Sequence, residues 1–187
     1  MLSAGDADRR VDMRPWLRHL NELETPMCRA WSRSSQRQWI QRPFAVVSRL
    51  GDGVFWYSLM AAIPLVDGWR GVQASLHMLL TGLVALILYK SLKGMTRRTR
   101  PCHSVDDIIA TVPPLDHYSF PSGHTLHAVS FTGIALYYYP ELAWLLLPFT
   151  VLVATSRVVL GLHYPSDVLV ATAVGLSLVY ASLLILS

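Results

Sequence analysis

Charge is scarce in this chain: 15% of its 187 residues are Asp, Glu, Lys or Arg, against about 25% in ordinary soluble domains. From residue 168 onward there is no charged residue. A conventional water-facing surface is therefore excluded for much of the chain. Cysteine is nearly absent, with only Cys28 and Cys102, which excludes a disulfide framework. No Cys-x-x-Cys or Cys/His metal spacing occurs, and no metal site is expected; the adjacent loop pair Asp106–Asp107 is a weak signal for one. Internal repeats and low-complexity tracts are also missing. The polar N-terminus lacks an early apolar core, so no cleavable signal peptide is expected, and insertion would rely on the first apolar span.

What the chain has is apolar length: 52% of its residues are hydrophobic. Its net charge of +4 is unevenly placed, with nine arginines among the first 50 residues and five Lys or Arg from Lys90 to Arg100. These clusters flank apolar runs, unlike a nucleic-acid stripe. They suit anionic lipid heads or phosphate, and no nucleic-acid partner is expected.

The pattern predicts an all-α, multi-pass membrane bundle of about five spans. Residues 1–43 read as a polar N-terminus, poorly ordered over 1–13, followed by an interfacial amphipathic helix. Residues 44–187 read as the membrane domain. Trp16, Leu20, Leu23, Met27 and Trp31 recur at helical spacing with arginines opposite, the pattern of a helix lying in a membrane interface. Pro26 predicts a kink or two short helices there. The spans are placed at 44–66, 71–89, 123–139, 143–161 and 168–186. The first carries Arg49 and Asp52, and its clean part, 53–66, is too short to cross alone. Short links at 67–70 and 140–142 predict antiparallel hairpins. Residues 90–122 form the one long polar connection, a length that points to function or disorder.

Three clusters carry chemistry: Lys93 to Arg100-Pro101, then Pro121-Ser122-Gly123-His124, then Ser156-Arg157 with His163 and Asp167. The second span ends at the first cluster, the loop returns to the same side, and the third and fourth spans make a round trip. All three clusters are therefore expected on one membrane face. Lys93, Arg100 and Arg157 near an apolar boundary suit a shared anion, since unpaired cations there are unfavourable. Ser122 and Gly123 open a helix whose free N–H groups favour phosphate, and a glycine lets the backbone approach closely. His163 at a loop end and Asp167 in the first turn of the last helix suit a nucleophile and its orienter. His124 suits a general acid. Taken singly, the basic run, including Arg97 and Arg98, reads as flanking charge that sets topology, Ser122 and Asp167 as helix caps, and Arg157 as a snorkelling side chain. His19, His77, His103, His117 and His127 lack such company and read as structural or solvated. The joint occurrence on one face is what single explanations do not cover.

These stretches resemble the type 2 phosphatidic acid phosphatase (PAP2) superfamily, whose signature is K-x6-R-P, P-S-G-H and S-R-x5-H-x3-D. All three parts match, in order, from Lys93 to Asp167. The resemblance implies a metal-independent phosphatase without cofactor. His163 would form a phosphohistidine, Asp167 orient it, and His124 protonate the leaving group. Lys93, Arg100, Ser122, Gly123 and Arg157 would hold the phosphoryl oxygens. The implied substrate is a phosphorylated membrane lipid such as phosphatidate, phosphatidylglycerophosphate or undecaprenyl diphosphate. The alternatives are a lipid phosphotransferase and a non-enzymatic lipid-binding or transport protein. Membrane members of the family commonly have six spans; five would leave the N-terminus on the active-site face. The location implied is a bacterial inner membrane. The N-terminal arginines read the active-site face as cytoplasmic, whereas many bacterial relatives work on the periplasmic face. Oligomeric state is not legible.

Overall fold

The computed structural model describes residues 15–35, 37–105, 107, 108, 110, 112–114 and 116–186. The expected disorder over 1–13 and the Asp106 half of the acidic pair fall outside them. Among the described residues, the elements are helices and one isolated bridge between Thr99 and Tyr118. In chain order they are α1 (Pro15–Ser35), α2 (Gln38–Arg49), a π-helical turn (Leu50–Val54), α3 (Phe55–Thr96), α4 (Pro101–Ser104), α5 (Gly123–Tyr138), a 3-10 turn (Pro140–Leu142), α6 (Ala143–Val159) and α7 (Pro165–Leu186). α1 runs as one helix through Pro26, so of the two alternatives, a kink or two short helices, the second is not found.

The burial pattern is inverted relative to a water-soluble protein. Leu65, Val66, Ile87, Val151, Leu169 and Ile185 are exposed, whereas Lys93, Arg98, Arg100, Arg157 and Asp167 are buried. Three stretches, Gln38–Thr96, Pro140–Val159 and Pro165–Leu186, are long and apolar enough to cross a membrane. α5 is central, packing against α3, α6 and α7. Its 16 residues reach about 24 Å at 1.5 Å per residue. An apolar core of Trp56, Met60, Met78, Phe131, Leu146 and Val153 joins these helices below the polar end.

α3 is two antiparallel arms rather than one rod. Ser75 Oγ donates to the Met60 carbonyl at 2.7 Å, whereas residues 15 apart in a straight helix lie about 22 Å apart. The reversal occurs at Asp67 and Gly68, where Gly68 takes φ 51°, a left-handed value that side chains disfavour. At Gly71 a Cβ would meet the Ile63 carbonyl at 2.5 Å, so only glycine lets the arms close there. The hairpin expected at 67–70 is thus present.

α2 and the π-helical turn lie along α6, and the contact continues to Phe55 at the start of α3. Arg157 Nη1 donates to Ser48 Oγ at 2.5 Å. A Cβ on Gly51 would touch Val153 at 3.0 Å, and the Phe55 and Phe149 rings are 4.1 Å apart. These contacts run antiparallel in step. The expected single span at 44–66 is interrupted by the π-helical turn, with Gly53 at φ 130°.

Candidate active site

Four helix ends meet at one level: the C-terminal ends of α3 and α6 and the N-terminal ends of α5 and α7. This is the convergence expected from counting spans. Lys93 sits in the last turn of α3, His124 in the first turn of α5, Arg157 in the last turn of α6 and Asp167 in the first turn of α7. His163 lies in the loop before α7, its backbone N–H donating to the Arg157 carbonyl at 3.0 Å.

The turn out of α3 sets the basic side chains. Arg97 takes φ 48° as the C-cap, and the chain then runs extended, pinned by Ser119 N–H donating to the Arg98 carbonyl at 2.8 Å. Alternate side chains of an extended segment share a side. Arg98 and Arg100 therefore both turn inward, while Arg97 is exposed.

Arg100 is the hub. Its Nη1 donates to the Leu162 carbonyl at 2.7 Å and lies 3.1 Å from His163 Nε2. A guanidinium only donates, so Nε2 is an acceptor and the ring proton of neutral His163 is on Nδ1. That nitrogen lies 3.5 Å from Asp167 Oδ2, long for a hydrogen bond, and has no hydrogen-bond partner among the described residues. Burial, then the charges of Arg100, Arg157 and Lys93, hold the His163 imidazole well below the ordinary histidine value. It is therefore neutral at physiological pH.

Asp116 bridges two of the cations. Lys93 Nζ reaches its two carboxylate oxygens at 2.8 and 2.7 Å, and Arg100 Nη2 reaches Oδ1 at 2.5 Å. Burial would raise this carboxyl, but the bonds and charges of Lys93 and Arg100 outweigh it and hold it below the ordinary carboxylate value. Arg157 Nε is buried with no hydrogen-bond partner among the described residues. His124 Nε2 contacts Asp52 Oδ1 in the π-helical turn.

A cavity of about 380 Å³ opens between these groups and the arms of α3. Its polar end holds Lys93, Arg100, Asp116, His124, Arg157 and His163, and its wall includes Trp56, Met60, Leu79, Leu83 and Leu86. Gly123 also lines it; a Cβ there would sit 3.4 Å from the Tyr89 ring, an ordinary contact. Ser122 does not line it. Its buried hydroxyl caps α5, accepting from Thr125 Oγ1 at 3.0 Å. The arrangement offers an anion three cations, a neutral imidazole acceptor and a second imidazole, beside an apolar wall.

Reading the sequence missed Asp52, Asp116 and Arg98. Arg98 is fully buried, and its Nη1 donates to Asp167 Oδ1 at 2.6 Å. The signal that separates it from Arg97 is the two-residue spacing to Arg100 just before a proline, which disfavours helix.

A family model described as the PAP2 superfamily matches residues 74–187. An undecaprenyl-diphosphatase of Sulfolobus acidocaldarius is 28% identical over 130 residues, 69% of this chain and 62% of that protein. The chain thus spans about three fifths of that relative's length. Phosphatidylglycerophosphatase B of Bacillus subtilis is 30% identical over 167 residues, 78% of this chain and 74% of that protein. The crystal structure of a transmembrane PAP2-type phosphatidylglycerolphosphate phosphatase from Bacillus subtilis superposes with a TM-score of 0.62. It is 27% identical, with 84% of this chain and 83% of that one covered. The all-α bundle with its apolar exterior is accordingly that of an integral membrane protein. On the family match over most of the bundle, a shared transmembrane fold and a relative similar across three quarters of its length, the chain belongs to the PAP2 superfamily.

Proposed function

We propose that this chain is a lipid phosphatase that hydrolyses a terminal phosphate through a phosphohistidine on His163. The observation that carries the reading is the neutral His163 imidazole, with Nε2 as acceptor, beside Lys93, Arg100 and Arg157 in one cavity. The phosphate displaces the carboxylate contact of Asp116 and takes the three cations. Nε2 attacks phosphorus; the N–P bond forms as the P–O bond to the leaving group breaks. His124 gives its proton to the departing oxygen. Nδ1–H keeps its proton and donates a hydrogen bond to the Asp167 carboxylate, which stabilises the ring as it becomes cationic. Water then attacks phosphorus, His124 takes its proton, and inorganic phosphate leaves with His163 restored. The cations and the N–H groups opening α5 stabilise the charge on the transferring group, often the largest catalytic contribution. No step calls on a metal or cofactor.

The apolar wall favours a lipid over a soluble phosphate ester. Phosphatidylglycerophosphate and undecaprenyl diphosphate, the substrates named for the relatives, and phosphatidate are the candidate substrates. We also propose five crossings, with the first comprising the π-helical turn and the first arm of α3. α1 then lies in the membrane interface on the active-site face, showing Trp16, Leu23, Met27 and Trp31 outward. On the positive-inside rule its arginines favour the cytoplasmic side for that face, in a bacterial inner membrane.

The test is phosphate release in detergent with EDTA, from each of the three lipids, by the wild type and His163→Ala. The wild type releases phosphate from at least one lipid, and the variant falls by about a thousandfold or more, the scale on which removing a catalytic nucleophile acts. Equal rates overturn the mechanism; strict dependence on added Mg²⁺ overturns its metal independence.

A further inference from the structure

The Glu24 carboxylate takes no part in the phosphate chemistry, yet it is tied to the residue that does the orienting. Its Oε1 accepts from the Ser166 backbone N–H at 2.7 Å, and Oε2 accepts from Ser166 Oγ and Arg98 Nη2, each at 2.7 Å. Arg98 is fully buried; its Nε donates to Asn21 Oδ1 at 2.9 Å and its Nη1 to Asp167 Oδ1 at 2.6 Å. Asp167 Oδ2 accepts from Tyr164 N–H at 2.9 Å and faces His163 Nδ1. One guanidinium thus links a carboxylate on α1 to the carboxylate beside the imidazole.

The inward stripe of α1 explains why this link exists. Leu17, Asn21, Glu24, Cys28 and Ser32 recur every three or four residues and face the protein. The larger apolar side chains of α1 point away. α1 therefore docks through a stripe whose middle is polar, and that middle is where Arg98 and Ser166 meet it. Glu24 lies outside residues 74–187, so the family match does not supply it.

We propose that Glu24 is a positioning residue for phosphoryl transfer, acting through Arg98 and Ser166 on Asp167. It has two effects. It fixes the start of α7 by holding the backbone N–H next to Asp167. It also shares the charge of Arg98, which otherwise falls wholly on Asp167 and weakens that carboxylate's hold on the His163 Nδ1–H. The proposal rests on the phosphatase reading.

The experiment compares Glu24→Ala, Glu24→Gln, Glu22→Ala and His163→Ala in the full chain. The probe is a short-chain phosphatidate in detergent micelles with EDTA, with rates normalised to the folded fraction from size exclusion. Glu22 is exposed on the same helix and serves as the control. Glu24→Ala lowers kcat by about tenfold to a hundredfold with KM changed less than about threefold, as expected for a small misplacement near the chemistry. Glu24→Gln keeps the shape and one acceptor oxygen, so its kcat lies between alanine and wild type. Glu22→Ala keeps wild-type kcat. Wild-type kcat in either Glu24→Gln or Glu24→Ala overturns the proposal, and so does a loss that vanishes on normalisation. If Glu24→Ala fails to fold, wild-type kcat in Glu24→Gln alone overturns it. An inactive His163→Ala beside a fully active Glu24→Gln sinks this proposal only. An active His163→Ala sinks the phosphatase reading and this proposal with it.

Discussion

Arg100 Nη1 lies 3.1 Å from His163 Nε2, so a side chain that can only donate fixes which imidazole nitrogen carries the lone pair. The same guanidinium holds the Asp116 carboxylate through Nη2 and the Leu162 carbonyl through Nη1. Arg100 therefore selects the tautomer and holds the loop, and under the proposed mechanism it also donates to the phosphate. Arg100→Ala should lower kcat/KM by about a hundredfold or more in detergent kinetics. Arg100→Lys should recover only a small part, because an ammonium lacks the planar fork. Near-wild-type kcat/KM in the lysine variant would show that charge alone suffices.

The buried neutral His163 makes stability depend on pH. Its folded value lies well below the usual one, first because burial disfavours the cation and then because Arg100, Arg157 and Lys93 repel it. Above about pH 6.5 neither the folded nor the unfolded imidazole binds a proton. Below that, the unfolded chain takes a proton that the folded one refuses, so stability falls as pH falls. The limiting slope is about 1.4 kcal/mol per pH unit for one group. Thermal midpoints in detergent from pH 7.5 to 5 should drop more steeply for wild type than for His163→Asn. Parallel curves would contradict a neutral buried His163.

Asp116 stands where a phosphate would meet Lys93 and Arg100. Its removal leaves two cations without their carboxylate. Asp116→Asn should therefore tighten competitive inhibition by inorganic phosphate, by about tenfold if one close charge contact of roughly 1.4 kcal/mol is relieved. An inhibition constant that is unchanged or weaker would assign Asp116 a purely structural part.

Asp52 contacts His124 from the π-helical turn, and both line the cavity. His124→Ala should lower kcat by about a hundredfold to ten-thousandfold, the range for a lost general acid. Asp52→Asn should lower it by about tenfold. In the double variant the Asp52 effect should disappear, because it acts through His124. Additive losses would place Asp52 elsewhere in the mechanism.

The sequence alone was sufficient for the convergence of the three clusters, because counting apolar spans places their ends without any coordinates. The hairpin at Asp67 and Gly68 was legible for the same reason. Arg98 reads with Arg97 as one basic run, although its spacing to Arg100-Pro101 carries a signal; the left-handed Arg97 backbone and the extended segment after it turn the two apart. Asp116 was hidden in a long loop whose course depends on the bridge between Thr99 and Tyr118. Ser122 matched the signature, yet its hydroxyl caps α5 and lies off the cavity lining. Glu24 was invisible because the inward stripe of α1 mixes Leu17 and Cys28 with Asn21 and Glu24, whereas hydropathy follows the outward stripe of Trp16, Leu23 and Met27.

The central claim is that His163 Nε2 takes the phosphoryl group. The most direct test is to mix the protein with phosphate-labelled lipid substrate, quench in alkali, where phosphohistidine survives, and map the label. The account predicts label on the peptide containing residue 163 in the wild type, more of it in His124→Ala if water activation slows, and none in His163→Ala. Turnover of the lipid with no label on that peptide, or with label on another residue, would contradict it.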